Sequence, residues 1–244
     1  MRTVLPAFIR RALLLALSTV VASAMASDPA DRVIVSGFEP FGGRSENASW
    51  TLAQEIKKAF PSILNRQVPV VWGAPLKAIA AETMAPDVWI AFGEGTPKFQ
   101  IEVLAHNQRG RFPDNEGLPP STPNVIAEGP AEMKNTVDAA KLAAKLSAAG
   151  FPTSESTNAG HYLCEEMLYS LLHAQKENPK GFRLVLFIHL PVLDKPVTSS
   201  GESGQQPVSA KVDAKYLAAF GKQLITSLQE MKLITLPSPA TRQP

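Results

Sequence analysis

The sequence predicts an α/β fold, a three-layer α/β/α sandwich around a mostly parallel (mixed), twisted sheet. Three observations carry this. Short β-branched or apolar runs alternate with segments whose apolar residues recur at helical spacing, the pattern of a sheet covered by helices on both faces. The run Phe182 to His189 is almost wholly apolar, as a strand buried on both sides must be. The length of 244 residues suits one domain with a sizeable core.

In order, Arg32 to Ser36 reads as a strand, followed by a glycine-rich loop and a helix from Ser49 to Phe60 carrying Leu52, Ala53, Ile56 and Phe60 on one face. Gln67 to Trp72 reads as strand, Leu76 to Met84 as helix, and Asp87 to Phe92 and Phe99 to Ala105 as two further strands. A Gly/Pro-punctuated loop runs to about Pro130. A helix from Met133 to Ala149 is closed by Gly150, Thr153 to Thr157 is a strand, and a helix begins near Cys164. Phe182 to His189 is stopped by Pro191, and Val208 to Lys232 is the last long helix. The domain is expected over 27–235, with a proline-rich, disordered tail over 236–244.

Residues 1–26 read as an export signal: Arg2, Arg10 and Arg11 precede an apolar run that ends in Ala24-Met25-Ala26. The run is shorter than the ~20 residues needed to span a bilayer, so cleavage near Ala26 is expected rather than a stable membrane anchor. The protein is therefore expected to be exported, periplasmic or secreted. Losing those arginines and no acid moves the formal charge from +2 to about −1. No basic stripe remains for nucleic acid or an anionic membrane surface.

Cys164 is the sole cysteine, in Asn158-Ala159-Gly160-His161-Tyr162-Leu163-Cys164-Glu165-Glu166, where a small-residue turn enters a helix. Unpaired N–H groups and the positive end of the helix dipole favour a thiolate there, as a nucleophile requires. Such a nucleophile needs a base and a group to orient that base. Of four histidines, His173 lies late in the same helix, His161 belongs to the turn, and His106 follows the strand with Glu102. His189 ends the buried apolar strand, where an open α/β sheet presents its ligand site. Glu94, Glu102, Asp114, Glu116 and Asp194 all remain open as the orienting acid; Glu102 interrupts an apolar strand and so calls for a partner. The loop Gly37-Phe38-Glu39-Pro40-Phe41-Gly42-Gly43 lacks the Lys-Ser/Thr pair of a phosphate loop and carries two aromatic rings, which suits a flat uncharged ligand.

Four ordered blocks resemble the pyroglutamyl peptidases of the first type, the pyrrolidone-carboxylate cysteine peptidases: GFEPFGG with Asn47 and Ser49-Trp50, IEVLAHN leading to RFPDNEG, NAG followed by Cys164 after three residues, and FIHLP. The resemblance implies a Cys164, His189, Glu102 triad and removal of an N-terminal pyroglutamyl residue from peptides, without metal or cofactor. It also implies that Phe38 and Phe41 sandwich the lactam ring, that Asn47, Arg111 and Leu163 belong to the substrate site, and that the protein is a homo-oligomer, often a tetramer. This chain departs from the family pattern at Gly93-Glu94-Gly95-Thr96-Pro97-Lys98, where Gly-Gln-Ala-Gly-Gly-Arg is usual, and at Val103, Val192 and Glu165-Glu166. Two carboxylates beside the thiol would raise its pKa and slow turnover. A second reading keeps the lactam slot without turnover, as an exported binding protein for pyroglutamyl or related ligands.

Overall fold

A computed structural model describes residues 29–197 and 210–237; the expected export signal over 1–26 and the tail from residue 238 onward lie outside the described residues. A six-stranded sheet forms the centre. Its strands are β1 (Val33–Phe38), β2 (Leu64–Val68), β3 (Val88–Thr96), β4 (Phe99–Glu102), β7 (Thr153–Ser156) and β8 (Leu184–Pro191), in the order β2-β1-β3-β8-β4-β7. Every neighbouring pair is parallel except β4 with β8. Two small antiparallel pairs stand apart: β5 (Leu104–His106) with β6 (Glu132–Lys134), and β9 (Pro196–Val197) with β10 (Ala210–Lys211).

Side-chain alternation along the strands makes the three layers. Val33 and Val35 of β1, Ile90 and Phe92 of β3, and Leu186 and Ile188 of β8 face one side. There they meet α1 (Ala48–Ala59), α3 (Ala139–Ala148) and α5 (Ala214–Glu230). Ile34 and Phe38, Trp89 and Ala91, and Val185 and Phe187 face the other side, against α2 (Ala74–Ala80) and α4 (Leu163–Glu177). Burying this apolar surface on both faces drives the assembly. The expected α/β/α sandwich with a mixed, mostly parallel sheet is what forms.

Element boundaries moved where tertiary partners outweighed local pattern. The second strand covers Leu64–Val68 rather than Gln67 to Trp72. It is an edge strand paired only with β1, so it does not need an apolar run, and Pro69 then removes the N–H a longer strand would require. The expected helix from Met133 divides: Glu132–Lys134 is a strand held by β5, and α3 starts only after Asp138, whose carboxylate accepts from Lys141 N at 3.0 Å. The Phe99 to Ala105 run likewise splits at Val103 into β4 and β5. The last helix starts at Ala214 behind the Asp213 cap, and α2 covers Ala74–Ala80 rather than Leu76 to Met84.

The loop after β1 reaches α1 through a close backbone approach. A β-carbon on Gly37 would lie 2.3 Å from the carbonyl carbon and oxygen of Ser49, so only glycine lets the strand end touch the helix. Ser49 Oγ accepts from Phe38 N at 2.8 Å in the same contact. Gly37→Ala is expected to destabilise the protein by about 3 kcal/mol, the upper end of ordinary overpacking, because the atoms it meets are backbone. Urea unfolding would show this as a lowered midpoint at unchanged slope.

Candidate active site

The site forms on the α4 side of the sheet, at the end of β8. Along β8, Leu186, Ile188 and Leu190 point to the other layer, so Val185, Phe187 and His189 point toward α4. Antiparallel pairing sets Gln100 opposite His189 and Ile101 opposite Ile188. Phe99 and Ile101 face away, which puts Glu102 on the same face as His189. The two side chains meet: His189 Nδ1 lies 2.7 Å from Glu102 Oε1, with the imidazole donating to the ionised carboxylate. Glu102 has no exposed surface, and its second oxygen has no hydrogen-bond partner among the described residues.

Cys164 arrives from α4, whose second residue it is, and it is half-buried. Gly93, within the central strand β3, pairs with His189 in register. A β-carbon on Gly93 would lie 2.7 Å from Cys164 Sγ, 2.8 Å from Phe187 Cζ and 3.1 Å from His189 Cδ2, the ring carbon beside Nε2. Sulfur and imidazole therefore meet over a strand that has no side chain to separate them. In the sequence Gly93 stands out only as the first residue of the stretch that departs from the family pattern; its place between the sulfur and the imidazole comes from strand pairing.

A pocket of about 240 Å³ opens beside the sulfur, lined by Phe38, Phe41 and Val70 on one part and by Tyr162, Leu163, Cys164 and His189 on another, with Asn47, Glu94 and Ala159 completing it. Phe38 is buried, while Phe41 is half-buried under the Arg44 guanidinium, 4.3 Å from the ring centre. Arg44 also pairs with Glu94, and Glu94 Oε2 accepts from Ala48 N at 2.5 Å, so this acid serves the start of α1 instead of orienting His189. Asn47 has two tasks. Its side-chain oxygen caps α1 through Ser49 N at 3.0 Å, and its amide donates to Glu39 O at 2.9 Å while the residue borders the pocket.

Not every expected site residue comes here. Arg111 is exposed and borders a separate depression with Gln108, Arg109 and the Pro119 to Pro123 segment. The backbone on either side of it is fixed by Gly110 N to His161 O at 2.7 Å and by Trp72 Nε1 to Phe112 O at 3.0 Å, which leaves its side chain in solvent. Asp114 accepts from Trp72 N, Glu116 N and Leu118 N, and Asp194 pairs with Lys211 at the surface. Glu165 and Glu166, expected to burden the thiol, are fully buried with partners of their own. Glu165 accepts from His106 N at 2.5 Å, and Glu166 holds Arg109 at 2.8 and 3.0 Å and Gly73 N at 2.9 Å.

The imidazole is held in its charged form, its pKa raised from 6.5 to about 10. Burial, the largest influence, opposes the charge, but the charge and contact of Cys164 and then the hydrogen bond and charge of Glu102 together outweigh it. Burial also raises Glu165, partly offset by His106 and reinforced by Glu102.

The fold and site define a class: a hydrolytic enzyme of the cysteine-peptidase kind, built at the rim of an α/β sheet. A sequence profile described as pyroglutamyl peptidase matches residues 31–222. A pyrrolidone-carboxylate peptidase of Bacillus cereus (strain Q1) is 34% identical over 189 residues, which covers 72% of this chain and 85% of that protein. Its counterpart in Chromobacterium violaceum is 36% identical over 169 residues, 66% of this chain and 78% of that one. Among solved structures, the pyrrolidone carboxyl peptidase of Fervidobacterium islandicum AW-1 superposes with a TM-score of 0.69 at 27% identity, covering 82% of this chain and 98% of its own. Pyroglutamyl peptidase I of Bacillus amyloliquefaciens gives a TM-score of 0.63 at 25% identity, over 82% and 95%. The chain belongs to the pyroglutamyl peptidase family of cysteine exopeptidases. That membership lends no support to a binding protein without turnover.

Because the folded ring keeps its proton beyond the ~6.5 of a free imidazole, its contribution to stability is complete below about pH 6.5 and is lost as pH rises toward 10. His189 should titrate near 10 by NMR of its ring protons. Both Cys164→Ala and Glu102→Gln, each removing a negative partner, should move that titration down; an unmoved value in either variant would contradict the assigned cause.

Proposed function

We propose that this protein removes the N-terminal pyroglutamyl residue from peptides, through the triad Cys164, His189 and Glu102 and an acyl-enzyme. The observation that carries the reading is the convergence of sulfur and imidazole over Gly93, with the imidazole's other nitrogen on a buried carboxylate and a two-phenylalanine slot beside them. An N-terminal pyroglutamate offers no ammonium to grip, so selection has to come from the flat faces of its ring and the polar atoms of its lactam. Phe38 and Phe41 supply faces, and Leu163 and Tyr162 close the slot toward the sulfur. Asn47, its oxygen already serving α1, retains one amide hydrogen for the ring carbonyl.

The chemistry then follows in two steps. Cys164 thiolate attacks the carbonyl that joins the ring to the next residue, and backbone N–H groups at the start of α4 face the developing oxyanion. The His189 imidazolium, kept charged by its two anionic neighbours, gives its proton to the leaving amine as the C–N bond breaks. Neutral His189 next takes a proton from water, whose oxygen attacks the thioester and releases pyroglutamate, restoring the thiolate and imidazolium. Glu102 stays ionised throughout, holding the ring's orientation. We further propose that the chain reaches an exported compartment by way of residues 1–26; mature protein recovered from a bacterial host with its N-terminus near Ser27 would support this, and an uncleaved cell-internal chain would oppose it.

Release of arylamine from a pyroglutamyl-arylamide under reducing conditions tests the reading directly, and a folded wild-type protein without release would defeat it. Cys164→Ala and His189→Ala should each lower kcat by at least about 10³-fold. Phe41→Ala should instead raise KM by about tenfold, because it removes one face of the slot, worth about 1.4 kcal/mol of binding, and touches no reacting atom.

A further inference from the structure

The segment Pro113-Asp114-Asn115 is far from Cys164 in sequence, yet it is bonded to the Phe38 to Phe41 loop, to Val70 and to Tyr162, all of which border the slot. We infer that Asn115 is a positioning residue that clamps the Phe38 to Phe41 loop and so sets the opening the lactam enters; this rests on the pyroglutamyl reading above. Its amide donates twice into that loop, to Glu39 Oε1 at 3.0 Å and to Pro40 O at 2.9 Å, between the two aromatic rings. Its backbone N–H donates to Val70 O at 2.9 Å, and Val70 N donates back to the same Glu39 oxygen at 2.9 Å. Phe38, Phe41 and Val70 all line the slot.

The clamp has a fixed base. Asp114 accepts from Trp72 N at 3.1 Å, Glu116 N at 2.9 Å and Leu118 N at 3.1 Å, so the turn presenting Asn115 is set by its own carboxylate. One residue earlier, Pro113 O accepts from the hydroxyl of Tyr162 at 3.0 Å, and Tyr162 is the slot wall two residues before the nucleophile. Tyr162 in turn meets Trp72 edge-on, with ring centres 5.2 Å apart. A single short strap thus sets the distance between the aromatic loop on one side and Tyr162 on the other. Asparagine fits this position because two acceptors converge on it. A carboxylate in its place would supply no donor and would face Glu39. Asn115 is itself exposed and lines no part of the slot, so it acts only through the residues it holds.

The test compares wild type with Asn115→Ala, Asn115→Asp and the double variant Asn115→Asp with Glu39→Gln. In Asn115→Ala, KM for a pyroglutamyl-arylamide should rise about tenfold, equivalent to about 1.4 kcal/mol, while kcat stays within about twofold. Alkylation of Cys164 by iodoacetamide, which does not use the slot, should keep its wild-type rate. Asn115→Asp should raise KM further, and adding Glu39→Gln should restore most of it, because the new amide can donate to the introduced carboxylate while its oxygen still accepts from Val70. An unchanged KM, an equal fall in kcat and alkylation, or no recovery in the double variant would overturn the inference. Amide exchange at Glu39 and Val70 reads the clamp without turnover: about tenfold faster exchange in Asn115→Ala is expected, and wild-type exchange would overturn the clamp even if pyroglutamyl hydrolysis itself failed.

Discussion

The site depends on one buried contact, His189 Nδ1 to Glu102 Oε1 at 2.7 Å across the sheet's antiparallel strand pair. A carboxylate without exposed surface is costly unless an opposite charge answers it, and the imidazolium does so. The same contact holds the ring so that its other edge meets the sulfur of Cys164. Were β4 shifted by one residue against β8, Glu102 would leave this face and the ring would have neither charge partner nor fixed orientation.

Around that contact the protein places its other charges so that they do not compete for the ring. Glu94 is turned to the start of α1 and to Arg44, Glu166 is held by Arg109, and Glu165 by His106. The acids that follow the nucleophile in sequence are therefore part of how α4 is anchored to the β5 and α2 regions. Glu166, for instance, ties Gly73 at the start of α2 to the first turn of α4. These contacts fix the helix whose N-terminus presents the thiol, so stability and site geometry come from the same bonds.

The large elements were legible in the residues themselves. The apolar strand and the helix opening at Leu163 are found, because burial on both faces and helical spacing are strong local signals. The strand nevertheless covers Leu184–Pro191 rather than Phe182 to His189: Phe182 takes a φ of 49° and pairing with β3 begins only at Leu184. The boundaries that failed belong to pieces with weak local signals: polar Asn65, Arg66 and Gln67 make an edge strand only because β1 pairs with them, and Met133 becomes strand only because Ala105 lies opposite. In the site, the pairing of Cys164 with His189 was readable from element ends, whereas Arg111 was misplaced because neighbouring backbone bonds turn it into solvent.

By itself the chain determined the chemistry on offer: a lone thiol entering a helix, an imidazole closing a buried strand, and two rings on a glycine-rich turn. Those are consequences of spacing, sterics and hydrophobic period within a few residues. Spacing and burial left five acids open and only the family resemblance pointed to Glu102; the tertiary structure decided that Glu102 meets the imidazole, why Gly93 must lack a side chain, and how Asn115 reaches the aromatic loop. Each of these joins segments distant in sequence, and strand order and register, set by burying two opposite faces of one sheet, bring them within hydrogen-bonding or van der Waals distance.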